Sequence, residues 1–205
     1  RRHRNGLLWS AVLPVPAEAP QQRSDVREGL TAKHAEIAEA EQRNMLVVDN
    51  IHFAYRNGPV LDGLGLEVGR GEIVGVVGPN GSGKTTLLRL ISGVLRPSGG
   101  RIRIDTQDVA ELSPSRLARL IAVVPQNPAL PDGFTVLDLV LMARNPHLKL
   151  LQWEGQTDLD IAVRALEATE TLDLADRPLG TVSGGERQRA MVAMALAQET
   201  PVLLL

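Results

Sequence analysis

An α/β fold organised around a phosphate-binding loop is what this sequence predicts, and three observations carry that expectation. The apolar, β-branched run Ile73–Val77 reads as a strand, GPNGSGKTT follows at residues 78–86, and Leu87, Leu88, Leu90 and Ile91 then recur with helical spacing before Gly93. A strand, a glycine-rich loop and a helix in that order are the context the pattern G-x-x-x-x-G-K-[ST] requires. Gly78, Gly83, Lys84 and Thr85 fill its fixed positions.

Each residue type in the loop has a physical job in holding a polyanion. Glycines let the backbone curl so that successive N–H groups point at phosphate oxygens, where a Cβ would crowd the ligand. Lys84 adds a mobile positive charge for the outer phosphates, and the Thr85 hydroxyl is a hard oxygen ligand for Mg²⁺. The helix that starts here turns its positive dipole end to the same phosphates. The expected nucleotide contacts are therefore Gly78, Pro79, Asn80, Gly81, Ser82, Gly83, Lys84, Thr85 and Thr86.

The other elements follow in order. Residues 46–55 and 60–68 read as short strands joined by a turn at Asn57-Gly58-Pro59. The alternating Arg101-Ile102-Arg103-Ile104 after Gly99-Gly100 is another strand, Ser113-Pro-Ser begins a brief helix, and Ile121 to Val124 is a buried strand running into Pro125-Gln126. Residues 135–175 read as mostly helical, with Thr135 and Asp138 spaced as an N-terminal cap. A last helix spans about 185–198, and Pro201-Val-Leu-Leu-Leu begins a further strand.

Composition narrows the class. The 205 residues supply one sizeable core or one core with an appendage. A net charge of -2 and the lack of a basic stripe argue against a nucleic-acid partner. Cysteine is absent, which excludes disulfides and thiolate metal sites. No apolar run is long enough to span a bilayer. Residues 1–44, with a basic RRHR start, prolines at 14, 16 and 20 and an Ala/Glu-rich stretch, read as an extension that is disordered or partly helical.

Val182-Ser183-Gly184-Gly185-Glu186-Arg187-Gln188 is a second anion-receptive helix start, with a hydroxyl, bare backbone amides and a dipole pointing the same way. Taken with GPNGSGKTT, the upstream Tyr55, the glutamine of VVPQN and the final apolar strand, it makes residues 45–205 resemble the ATP-binding subunits of ABC transporters.

That resemblance implies a P-loop NTPase core with a mainly parallel sheet, an antiparallel β subdomain and a helical subdomain over about 127–182. It also implies roles. Tyr55, the only tyrosine, matches the aromatic that stacks on adenine. Gln126 matches the loop glutamine that touches Mg²⁺ and the attacking water, and shares the catalytic assignment with Lys84; Thr85 and Gln126 are the metal ligands. Ser183, Gly184, Gly185 and Glu186 match the segment that covers the γ-phosphate of ATP held by a second subunit. The implied assembly is a head-to-tail homodimer on the cytoplasmic face of the membrane, with a permease and, indirectly, an extracytoplasmic substrate-binding protein.

Some positions depart from the pattern. Val182 stands where the family usually has leucine, which keeps an apolar anchor. The Walker B aspartate, the glutamate that polarises water and the switch histidine would lie beyond Leu205, and none of His3, His34, His52 or His147 is placed to substitute. The chain as written is expected to hydrolyse ATP negligibly. FTVLDLVLMARNPH at residues 134–147 and AMALAQETP at 193–201 look like importers of iron-siderophore, haem or cobalamin complexes, with Ala143 in place of the usual glycine. Another cargo, a non-transport ATPase of DNA repair or translation, and a regulatory nucleotide-binding module remain the alternatives at this level.

Overall fold

The computed structural model describes residues 44–125, 133–149 and 151–205. All but one residue of the expected 1–44 extension, and Gln126, lie outside the described residues. Asn44, assigned to that extension, instead opens the first strand.

Strand β1 (Asn44–Tyr55) and β2 (Gly58–Gly69) form an antiparallel hairpin, and β1 pairs on its other side with β3 (Gly99–Ile104). A turn at Asp105 leads into the two-residue β4 (Gln107–Asp108), giving the order β2-β1-β3-β4. Met45, Leu46, Val48 and Ile51 are the buried positions of β1, and the period of two kept by Leu46 and Val48 breaks before Ile51. Register shifts on both flanks between Val48 and His52, with Asn50 at φ 48°, supply the extra residue that returns Ile51 to the core face.

Helix α1 (Lys84–Ile91) buries Leu87, Leu90 and Ile91 in the same cluster as Leu46, Val48, Ile51, Ile102 and Ile104. Its C-terminus ends as expected, with Gly93 at φ 71° just past the Ser92 cap. Ser113 caps the four-residue α2 (Pro114–Leu117), with proline at its first helical position. β5 (Ile121–Val123) then pairs in parallel with β6 (Val202–Leu204), and this pair is the parallel part of the sheet structure among the described residues.

A second cluster holds α3 (Val136–Met142), α4 (Gln156–Ala168) and α5 (Gly184–Ala197) together. β5 stands between the two cores: Ile121 packs with the β1 cluster, while Ala122 and neighbouring Val124 pack with the helices. The stretch 135–175 is helical only in parts, because residues 148–149 and 151–155, none of them helical, lie between the 3₁₀ turn at Asn145–His147 that trails α3 and the start of α4.

The strand read at Ile73–Val77 forms no ladder with any described strand, and Ile73 and Val77 are 98% and 87% exposed. A β-branched run favours extended backbone, but a strand exists only where a neighbour accepts its hydrogen bonds, and none of the described strands runs beside it.

Candidate functional site

The start of α1 differs from the starts of α3, α4 and α5. In those three, an acid at the third helical position reaches back to the capping residue's N–H: Asp138 Oδ2 to Thr135 at 2.9 Å, Asp158 Oδ2 to Gly155 at 3.1 Å, and Glu186 Oε2 to Ser183 at 2.7 Å. Helix α1 has Gly83 as its cap, no side-chain cap hydrogen bond and no acid in its first turn. Its N-terminal amides and dipole are thus left to an anion from outside the helix.

The loop is shaped for that use. Gly83 sits at φ 92°, and a Cβ there would come 2.8 Å from Leu61 Cδ2 and 3.1 Å from Val60 Cγ1. At Gly78 a Cβ would meet Ser82 Oγ at 2.8 Å, so the Ser82 side chain occupies the space that a side chain at 78 would need. The Lys84 ammonium folds over it, donating to the carbonyl oxygens of Gly78 and Pro79 at 2.8 Å each. Thr85 is exposed at the first turn, whereas Thr86 is buried beneath it.

Tyr55 reaches this helix from the end of β1. Its ring packs edge-on against Phe53, with centroids 4.9 Å apart and planes at 86°, and remains 41% exposed. The phenol is held below its ordinary pKa, first by a hydrogen bond from the Thr86 side chain and also by the Arg89 guanidinium, against a desolvation that acts the other way. Arg89, one turn after Thr86, was not singled out from the sequence; its spacing of three from Thr86 is the signal that places it on the same helix face.

Ser183 caps α5, accepting at Oγ from the Glu186 N–H at 3.3 Å. The Glu186 carboxyl lies below its usual range because it accepts from the Ser183 side chain and N–H, with the fields of Arg177 and Arg189 adding to the effect. A Cβ at Gly184 or Gly185 would have nothing within 4 Å, so these amides stand in the open. No hydrogen bond among the described residues joins this end to the loop at 78–86, and α1 and α5 belong to different cores.

Residues 61–205 match the ABC transporter family. The chain belongs to that family. This ABC transporter chain is 39% identical over 157 residues to a probable siderophore transport system ATP-binding protein of Bacillus subtilis, covering 77% of this chain and 57% of that protein. It is 36% identical over 157 residues to the ferric enterobactin transport ATP-binding protein of Escherichia coli, covering 77% of this chain and 58% of the relative. It is also 44% identical over 141 residues to the hemin import ATP-binding protein of Myxococcus xanthus, at 69% and 52% coverage. The chain therefore spans somewhat more than half the length of these relatives.

Among solved structures, a metal-chelate type ABC transporter in an inward-facing conformation superposes with a TM-score of 0.65 at 34% identity, covering 77% of this chain and 57% of that one. A nucleotide-free ATP-binding cassette from an ABC transporter gives 0.69 at 28% identity, with 78% and 67% covered. No helix among the described residues is long and apolar enough to cross a membrane.

Proposed function

We propose that the full-length protein binds and hydrolyses ATP to drive an ABC importer, with iron-siderophore, haem or cobalamin-type complexes as the cargo class. The observation that carries the binding site is the uncapped, acid-free start of α1 behind a loop that Lys84 overhangs. Glycine amides and the α1 dipole cradle the phosphates, and Lys84 leaves the loop carbonyls to neutralise their outer oxygens. The exposed Tyr55 face stacks on adenine. Magnesium, held by the Thr85 hydroxyl and Gln126, would neutralise charge between the outer phosphates. Residues 45–205 constitute the ATP-binding domain in this reading, with residues 127–182 as its helical subdomain.

A loop on one side of a triphosphate leaves the γ end open to water. The Ser183-Gly184-Gly185 end, with Glu186 held away in its own cap, supplies a second set of bare amides for that side from another copy in a head-to-tail homodimer. Such a pair closes when the ligand bridges both copies and reopens when the differential contact is lost, a motion that a membrane permease on the cytoplasmic face can use. The relatives named for siderophore, enterobactin and hemin transport support the cargo class. The test is calorimetric titration of the full-length protein with magnesium ATP, followed by hydrolysis and uptake assays with its permease. Saturable binding weakened at least about tenfold by Lys84→Ala, with uptake of an iron chelate or cobalamin, is expected; a folded protein that takes up no nucleotide overturns the reading.

A further inference from the structure

The most elaborate buried polar arrangement among the described residues lies away from the nucleotide loop, at the C-terminal end of α5. Arg144, just after α3, is only 5% exposed. Its Nε donates to Asp158 Oδ1 at 3.0 Å, and its Nη1 donates both to the Ala197 carbonyl oxygen at 2.7 Å and to Glu199 Oε2 at 3.0 Å. Asp158 belongs to the first turn of α4, while Ala197 is the last residue of α5. One guanidinium therefore ties the end of α3, the start of α4 and the end of α5.

The next residue of the chain ties the same point to the α/β core. Gln198 Nε2 donates to the Ala118 carbonyl at 2.6 Å and the Ile121 carbonyl at 3.0 Å, and His147 Nε2 lies 2.8 Å from the Gln198 carbonyl oxygen. Ile121 opens β5, the strand that precedes Val124 and Pro125 in the chain.

Burying a charged pair contributes little net stability, because desolvation offsets the Coulomb attraction. What a guanidinium does contribute is direction, since its donors lie in a rigid planar fork. We propose that Arg144 is a positioning residue: by clasping Asp158, the Ala197 carbonyl and Glu199, it fixes the angle of α5 and hence the aim of the Ser183 end at its anionic ligand. The lever is long. Fourteen helical residues rise about 21 Å, so a tilt of about 5° at the clasped end moves the Ser183 end by about 2 Å. Displacements of about 1 Å in a reacting geometry can cost about a hundredfold in rate.

This inference rests on the ATPase reading above, so its test separates the two. In the full-length protein, Arg144→Met, Arg144→Lys and Asp158→Asn are compared with wild type for nucleotide affinity, hydrolysis and thermal unfolding. Arg144→Met is expected to lower kcat about tenfold while the ATP Kd, set by the distant α1 loop, stays within about twofold. Arg144→Lys and Asp158→Asn, which keep the charge or the shape, are expected to lose about threefold in kcat with Kd again unchanged. These two variants decide the matter if Arg144→Met does not fold. Unchanged kcat in the folded variants, or kcat and affinity falling in parallel, overturns the positioning role. Wild-type protein that binds no nucleotide overturns the ATPase reading itself.

Discussion

Lys84 Nζ donates to the Gly78 carbonyl oxygen across a 2.8 Å hydrogen bond, so the cation of the loop is tethered to the first residue of that loop. The same ammonium reaches the Pro79 carbonyl at 2.8 Å. Both acceptors are neutral, and a phosphate oxygen with a full charge makes a stronger partner for the same donors. In the proposed nucleotide site the tether is thus a resting arrangement that a phosphate would displace at little cost, and it limits the freedom of the long side chain beforehand.

Lys84→Ala in the full-length protein should therefore weaken binding without removing the fold. Its two hydrogen bonds are at the surface, where each contributes about 1 kcal/mol or less. Titration with magnesium ATP should show affinity reduced at least about tenfold, and less so at high salt, where screening has already weakened the charge. Equal affinity in the two proteins at low salt would rule out Lys84 as the phosphate cation.

Gly83→Ala should damage both binding and stability. The added methyl meets most closely the flexible ends of Leu61 and Val60, which can move, with the Val60 carbonyl oxygen at an ordinary 3.5 Å, but the φ of 92° is a conformation that alanine adopts at a cost of about 1–3 kcal/mol. Urea unfolding should register that loss, and nucleotide affinity should fall with it because α1 starts at this residue. A variant as stable as wild type would mean that the loop relaxes to negative φ.

Tyr55 offers a way to separate the ring from its hydroxyl. Stacking on a base needs only the π face, and such contacts are worth about 1–3 kcal/mol to alanine. Tyr55→Phe should therefore bind ATP within about threefold of wild type, losing only the link to Thr86 and Arg89, whereas Tyr55→Ala should bind at least about fivefold more weakly. Equal losses in the two would place the function in the phenol oxygen instead.

How much of this was legible from sequence depended on whether the determinants were local. The loop at 78–86, the Thr135/Asp138 cap and the stop at Gly93 each sit within a few residues of the structure they create, and each appears where expected. The Ile73–Val77 segment failed as a strand because pairing is a property of two segments, and its own pattern carries no information about the other. Pro146 and Gly155 are the residues in 135–175 that favour a break in a helix, and the observed division falls between them. The Arg144 clasp joins residues 14, 53 and 55 positions apart, and nothing in the local pattern around Arg144 announces it.

In the proposed site Ser183 has two jobs that substitution can pull apart. Its hydroxyl caps α5, so Ser183→Ala should cost about 1 kcal/mol of stability, while Ser183→Asp, an equally good cap, should cost almost none. Facing a triphosphate, the order reverses: the new carboxylate repels phosphate, and hydrolysis by the full-length protein should fall further in Ser183→Asp than in Ser183→Ala. Urea midpoints and steady-state turnover measured on the same preparations test this. Turnover that simply tracks stability across the two variants would reduce Ser183 to a helix cap.

The acid limb of stability provides a check on the buried pair. The Gly155 N–H and the Arg144 guanidinium hold the Asp158 carboxyl below its usual range, against desolvation. A carboxyl depressed in the folded state stabilises above its unfolded pKa, about 3.9, and that contribution disappears as pH falls through the folded value. At pH 7, Asp158→Asn should therefore unfold at lower urea than wild type, because Arg144 loses its buried counter-charge. As the pH is lowered below about 4, wild type should lose stability faster than the variant, and the two midpoints should converge. Curves that stay parallel from pH 7 to pH 3 would show that the ionised form of Asp158 contributes nothing to stability.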